Sequence, residues 1–117
     1  MGYSMDQMDH SFFLPKEYFG LALQAVQALN MHGTRSDDLV KVFAEWGWEA
    51  EVSSDGDICD LYFIGEKFRD DDLLFEALGP YVKEGSYLVM IGEDHNFWRW
   101  YFDGERCTEQ SGEIVWK

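Results

Sequence analysis

The spacing of apolar residues predicts helices in three parts of the chain. Over residues 15–30, apolar side chains recur at three- and four-residue steps, as on the buried side of an amphipathic helix. A second helix follows Ser36, which we expect to be its N-cap, and ends at Gly47. Its buried stripe consists of Leu39, Val42, Phe43 and Trp46. A third helix begins at residues 70–72 and stops at Gly79.

Alternating apolar and polar positions predict strands in the remainder of the chain. Residues 48–52 alternate strictly, and turn-forming residues at 53–57 join them to a second strand at 58–64, which makes a hairpin. Other strand signals lie at residues 11–14, 87–91, 97–102 and 105–109, with a last edge strand at 114–116. Residues 1–10 show no period, so we expect them to be loosely held.

Short links between successive strands favour antiparallel pairing. The predicted order of elements is βααββαβββ, which belongs to the α+β class. We therefore expect residues 1–117 to form a single domain, with a twisted antiparallel sheet of about five strands and helices packed on one face of that sheet.

The balance of charges narrows the range of functions. The chain has nine Lys and Arg residues against 23 Asp and Glu residues, a formal net charge of −14. Residues 1–36 contribute −1 and residues 37–117 contribute −13, with the acids interspersed among Trp, Tyr and Phe. This pattern indicates a folded acidic surface. Binding nucleic acid through its phosphates requires a basic surface, so we expect a basic protein as the partner and no direct contact with nucleic acid.

Residue types that carry catalysis or bind metal ions lack the spacing that such chemistry needs. His10, His32 and His95 fall near a terminus, in a helix break and in a turn. Cys59 and Cys107 lie in strand signals and suit small buried apolar positions. We therefore expect no enzyme activity, no metal and no cofactor. Two cysteines, no signal peptide and no apolar run of ~20 residues predict a cytoplasmic protein that does not contact a membrane.

Two sets of side chains are candidates for binding a partner. Side chains alternate between the two faces of a strand, so in the predicted strand 97–102 we expect Trp98 and Trp100 to face the core. It leaves Arg99 and Tyr101 on the open side of the sheet, near the outward acids of the hairpin if the strands pair as neighbours. The acids at the start of the third helix are further candidates, although capping of that helix explains them equally well. The predicted partner-binding residues are Glu49, Glu51, Asp60, Asp70, Asp71, Asp72, Arg99 and Tyr101.

Several short motifs resemble those of a known group of proteins. They include Ser11-Phe12-Phe13, Trp46-Gly47-Trp48, Pro80-Tyr81-Val82, Gly92-Glu93-Asp94, Trp98-Arg99-Trp100 and Phe102-Asp103-Gly104. With these motifs the chain resembles, over nearly its whole length, a family of small acidic proteins encoded by bacterial phages and prophages. The resemblance implies a mobile-element origin and the cytoplasm of a bacterial host cell. It makes a counter-defence role, as in anti-CRISPR proteins, the natural hypothesis, and it carries over no catalytic residue.

Two classes of function remain open at this point. The first is an acidic inhibitor that mimics nucleic acid and occupies the basic groove of a CRISPR effector, a restriction enzyme or another nuclease. An immunity protein for a nuclease toxin is a close variant of this class. The second is a small protein that binds or degrades a nucleotide signal, which requires a pocket with positive charge from Arg69 or Arg99.

Overall fold

The computed structural model describes residues 4–29, 38–65 and 71–112, which form three α-helices, one short 3₁₀ helix and six strands. The strands are β1 (Met5–Ser11), β2 (Trp48–Val52), β3 (Ile58–Phe63), β4 (Tyr87–Gly92), β5 (Phe97–Phe102) and β6 (Cys107–Gly112). The helices are α1 (Phe19–Gln27), which the 3₁₀ helix Lys16–Tyr18 precedes, α2 (Leu39–Glu45) and α3 (Asp71–Leu78). The predicted α+β class is confirmed.

The described strands form two sheets. Four strands pair in the order β1-β4-β5-β6, and β2 pairs with β3 in a hairpin. All of these pairs are antiparallel. The short links predict this for β2–β3, β4–β5 and β5–β6, whereas β1 and β4 lie far apart in sequence. The expectation of one sheet of about five strands is corrected to two sheets, because the hairpin meets β1 mainly through a side chain and not through a continuous backbone ladder.

One glutamine joins the two sheets. The Gln7 side chain donates from Nε2 to the Leu61 carbonyl oxygen at 2.9 Å and accepts at Oε1 from the Phe63 amide at 3.0 Å. It therefore takes the place of a neighbouring peptide group along the edge of β3. Leu14 and Ile58 complete the junction with two backbone hydrogen bonds of 2.8 and 3.1 Å. The hairpin is thus held beside β1.

The core lies between the helices and the inner faces of the sheets. Trp46, Trp48 and Trp100 are among its largest fully buried side chains. The rings of Trp48, Phe75 and Trp100 contact one another with centroids 4.7–6.1 Å apart, and such pairs stabilise a core beyond the area they bury. The prediction that Trp98 and Trp100 face the core is confirmed, since they are 9% and 1% exposed.

Local geometry determines where α2 begins and ends. Asp38 caps the helix, because its backbone is extended and its side chain accepts a hydrogen bond from the Val40 amide at 2.9 Å. The expected cap, Ser36, lies outside the described residues. Gly47 ends the helix with a φ of +91°, and its carbonyl accepts from the Ile64 amide at 2.9 Å. The chain can therefore turn directly from α2 into β2.

Several boundaries differ from those predicted. From Met5 onward the segment expected to be loosely held is strand β1, because its order comes from pairing with β4 and not from a local pattern. Alternation over residues 48–52 predicts that Val52 points inward with Trp48, yet Val52 is 47% exposed because the register shifts between Glu51 and Val52. The helix expected over residues 15–30 is a 3₁₀ turn followed by α1. The predicted edge strand at 114–116 lies outside the described residues.

Candidate partner-binding site

The outer side of the β2–β3 hairpin carries three of the predicted site residues. We call Glu49, Glu51, Asp60 and Tyr62 the hairpin surface. Glu51 lies directly opposite Asp60, and Glu49 opposite Tyr62. Both glutamates are exposed, and Asp60 and Tyr62 are half-buried. Like charges facing each other across a strand pair destabilise a sheet, so the fold tolerates this arrangement without drawing stability from it.

Hydrogen bonds order the hairpin surface. The Tyr62 hydroxyl donates to Glu51 Oε2 at 3.3 Å. Asp60 Oδ1 lies 2.8 Å from His10 Nδ1, and the His10 ring packs edge-on against Tyr62 with centroids 4.9 Å apart. Partial burial, followed by the negative charges of Asp60 and Glu51, raises the pKa of Tyr62 above its usual value. Tyr62 therefore remains a neutral donor that fixes the Glu51 carboxylate.

Cys59 lies beside this surface as a free thiol. Its Sγ is 3.5 Å from the Glu51 carbonyl oxygen and 3.7 Å from Glu51 Oε2. Desolvation, and then the Glu51 carboxylate, raise the pKa of Cys59 above its usual value. Since the thiolate is the nucleophile, a raised pKa works against covalent catalysis at this position.

The outward side of the four-stranded sheet carries Arg99 and Tyr101. We call the outward residues of β4 and β5 the open face; they are Tyr87, Val89, Ile91, Phe97, Arg99 and Tyr101. In register, Tyr87 lies opposite Tyr101, Val89 opposite Arg99 and Ile91 opposite Phe97. The Arg99 guanidinium lies 5.0 Å from the centre of the Tyr101 ring, and its Nε donates to Gln110 Oε1 on β6. The Arg99 side chain therefore lies against the sheet, where it contacts Tyr101 and Gln110.

Strands β1 and β4 separate the hairpin surface from Arg99 and Tyr101. Arg99 and Tyr101 were expected near Glu49 and Glu51 if their strands paired as neighbours, and this condition is not met, since β5 pairs with β4 and β6. A chain of contacts nevertheless connects the two surfaces. The His10 amide donates to Asp9 Oδ1 at 2.8 Å, and the Tyr87 hydroxyl approaches Asp9 Oδ2 at 3.4 Å.

Sequence patterns did not point to the residues that make this connection. Asp9 and His10 belong to β1, whose polar sequence shows no strand period. Tyr62 and Tyr87 alternate outward in their strands, and this position was the one available signal for them.

The acids at the start of α3 hold tryptophan side chains. Asp71 is 0% exposed and its Oδ1 accepts from Trp48 Nε1 at 2.9 Å. Asp72 Oδ1 accepts from Trp100 Nε1 at 2.8 Å. Asp70, the third predicted acid, lies outside the described residues. The Asp71 carboxyl group therefore lies within the core, and Asp72 is half-buried beside it.

A second group of acids, Asp72, Glu76 and Glu109, lies where α3 meets β6. Gly79 permits this close approach, since a Cβ there would come within 2.6 Å of the Cys107 backbone nitrogen. Desolvation first, and then the charge of Asp72 and a hydrogen bond with it, raise the pKa of Glu109 above its usual value. Burial, aided by Glu76 and Asp72, raises the pKa of Cys107 to about 12. The Cys107 thiol thus stays protonated.

The described residues carry the whole negative charge of the chain. They include 19 Asp and Glu residues and five Lys and Arg residues, so their formal net charge is −14. Between described residues, no Lys or Arg nitrogen lies within 4.0 Å of a carboxylate, and the ion pair there joins His10 to Asp60. Lys16 instead donates to the Asp55 carbonyl oxygen, and Lys83 lies over the Phe13 ring.

Neither a metal site nor a membrane-spanning helix is found in the part of the chain that the structure describes. Among residues 4–29, 38–65 and 71–112, no group of three or more His, Cys, Asp or Glu side chains is arranged to hold a metal ion. No helix in these ranges has both the length and the apolar character needed to cross a membrane. Comparison of the chain with known protein families, with curated proteins and with solved structures gives no match.

Proposed function

We propose that this protein is an acidic inhibitor whose hairpin surface binds the basic nucleic-acid groove of another bacterial protein. The observation that carries this proposal is the exposed Glu51 facing Asp60, with no Lys or Arg of the described residues within 4.0 Å of either carboxylate. Such a pair is unfavourable in the free protein and becomes favourable when a partner supplies positive charge. Function thus accounts for an arrangement that stability does not.

The carboxylates act as substitutes for phosphates. Duplex DNA presents one negative charge per ~1.7 Å of helix axis, and proteins that bind it line their grooves with Lys and Arg. Carboxylates held on paired strands enter such a groove at little further cost in conformational entropy. Complementary charge also accelerates association and makes it sensitive to salt.

The class of partner follows from this chemistry. It is a basic nucleic-acid-binding protein, such as a CRISPR effector, a restriction enzyme or another nuclease, and the role is counter-defence in the host cytoplasm. An immunity protein for a nuclease toxin would use the same surface. The alternative of a nucleotide-signal protein gains no support from Arg99, which is engaged with Tyr101 and Gln110.

Charge reversal at the hairpin surface tests the proposal. The protein is used to capture its partner from the bacterial host, and duplex DNA is then added as a competitor for the purified partner. The double variant Glu49→Lys with Glu51→Lys should bind at least about tenfold more weakly, because two attractive contacts become repulsive. The matched control is Glu17→Lys with Glu105→Lys, which changes the net charge equally at exposed positions elsewhere.

The control should bind within about threefold of the original protein, and the affinity of the original should fall steeply as salt is raised. Equal losses in both double variants would show that net charge alone drives binding. An affinity that is unchanged by salt, or a partner that binds DNA and this protein together, would also contradict the proposal.

A further inference from the structure

The open face is a second surface on which a partner can pack. Its aromatic and aliphatic side chains are half-buried although no described helix covers them. The polar and ring contacts on this face join residues of the sheet to one another: Tyr87 to Asp9, and Arg99 to Tyr101 and Gln110. Partly exposed aromatic and arginine side chains on a rigid sheet have the composition of interface hot spots.

Charge along one edge of this face indicates the chemistry of its occupant. On β1, Asp6 lies opposite Ile91 and Asp9 opposite Val89, so both acids stand beside the apolar centre of the face. Both are exposed. The positive group of the face, Arg99, lies on the far side of β4 and is stacked on Tyr101. An apolar occupant that also carries Lys or Arg toward β1 therefore matches the face.

The dimensions of the face indicate a short segment. With strands ~4.8 Å apart and three rows of outward residues, the whole outer side of the four-stranded sheet has an area of about 400 Å², and the open face is about half of it. A stable complex between globular proteins uses roughly 800 Å² on each partner. Pairing of two copies would also bring two chains of net charge −14 together.

We propose that the open face docks a short protein segment whose apolar side chains cover Val89 and Phe97 and whose Lys or Arg side chains reach Asp6 and Asp9. This proposal shares with the proposed function only the premise that the partner is a protein. Single-stranded nucleic acid also stacks on aromatic sheet faces. Here the phosphates would meet the two aspartates with a single arginine to offset them.

Three synthetic peptides test the docking of such a segment. The first has an apolar half of leucine and valine and a second half rich in lysine; in the second peptide glutamate replaces lysine; in the third serine replaces the apolar residues. Each is titrated into the full-length, ¹⁵N-labelled protein while amide chemical shifts are followed. The first peptide should shift amides of β4 and β5 and bind about tenfold more tightly than either of the others.

Matched variants separate the open face from the hairpin surface. Val89→Thr with Phe97→Thr removes apolar contact while keeping strand-forming residues, and Asp6→Asn with Asp9→Asn removes the charge. Each should weaken binding of the first peptide about tenfold. The hairpin variant Glu49→Gln with Glu51→Gln should bind it unchanged, so failure of the hairpin proposal would leave this result intact.

Several outcomes would overturn the docking proposal. If the third peptide, which has serine and lysine, binds as tightly as the first, charge alone accounts for the binding. Shifts confined to β2 and β3 would move the site to the hairpin surface. Open-face amides that shift with protein concentration would indicate a second copy as the occupant, and shifts caused by an oligothymidine would indicate nucleic acid.

Discussion

The start of α3 and the hairpin surface are both acidic, yet they use their carboxyl groups in opposite ways. Asp71 and Asp72 accept hydrogen bonds from the indoles of Trp48 and Trp100 and so tie α3 to both sheets. Glu51 and Asp60 face each other across the hairpin, and among the described residues no Lys or Arg lies within 4.0 Å of either carboxylate, although His10 pairs with Asp60. The two aspartates of α3 thus tie elements of the core together, whereas Glu51 and Asp60 hold like charges close to each other on the outer side of the hairpin.

This contrast explains how a small domain can keep a large negative charge. Part of the charge is offset locally by N–H donors, which need no Lys or Arg. Asp103, for example, accepts from the amides of Arg106 and Glu105 at 2.9 Å each. These backbone hydrogen bonds hold the pKa of Asp103 below its usual value. On the hairpin surface Asp60 likewise accepts from the Leu61 amide and pairs with His10, yet the Glu51 carboxylate still lies directly opposite it.

The largest expected loss of stability follows from removing the hydrogen bond between Trp48 on β2 and Asp71 on α3. Trp48→Phe removes the indole N–H and leaves the buried Asp71 carboxyl group without this donor, which should cost about 2–4 kcal/mol of unfolding free energy. Trp100→Phe removes a similar ring volume but leaves the half-buried Asp72, which water can reach, so it should cost about half as much. Urea unfolding of both variants measures the difference.

A double-variant cycle isolates the hydrogen bond from the loss of ring volume. Trp48→Phe should cost less when combined with Asp71→Asn, because no acidic group is then left buried without its indole donor. Equal costs of the two tryptophan variants, or an additive cycle, would show that the indole bonds contribute little.

A smaller change in the free energy of unfolding, this time a gain in stability, is expected on the hairpin surface. Glu51→Gln keeps an acceptor for the Tyr62 hydroxyl and removes one of the two facing charges, so it should stabilise the protein by about 0.2–1 kcal/mol. Glu17→Gln changes the net charge equally and should have less effect. The gain should shrink as salt rises, because salt screens the repulsion. A destabilised Glu51→Gln protein would mean that the pair is not strained.

The smallest effect concerns pH at the junction of α3 and β6. Because the pKa of Glu109 is raised in the folded protein, folding binds its proton more tightly, and stability falls as pH rises from the ordinary range of a glutamate through the raised value. Glu109→Gln should therefore be more stable than the original at neutral pH. The difference should vanish below about pH 4, where the glutamate is protonated in both states. Thermal unfolding against pH measures this, and a pH-independent difference would contradict it.

Helices and strands with a regular spacing of apolar residues were predictable from the sequence, because that spacing reflects which side chains are buried. Alternation placed Trp98 and Trp100 inward and Glu49 and Glu51 outward, and each of these orientations is found. Strand β1 was not predictable, since one register shift between Gln7 and Asp9 and a mostly exposed polar sequence hide its period. Its structure depends on a partner strand that lies far along the chain.

The role of the acids at α3 was hidden for a similar reason. A cluster of aspartates at a helix start is typical of capping, and nothing in their spacing distinguishes Asp71 from Asp72. What separates them is the position of indole donors on β2 and β5, which the tertiary fold supplies. The contacts that Asp9 and His10 make with Tyr87 and the hairpin likewise exist only after β1 lies between β3 and β4.

Strand β1 precedes along the chain the strands beside which it lies, so its order depends on residues that follow much later. Met5 pairs with Gly92, and the Gln7 side chain bonds a carbonyl 54 residues away at Leu61, whereas β2–β3 and β4–β5–β6 join strands that follow each other directly. Closing such long loops costs chain entropy and slows folding. These local strand pairs can therefore form first, and the insertion of β1 becomes the closing step. Until that step, β3 and β4 present open edges on which a nascent chain can aggregate.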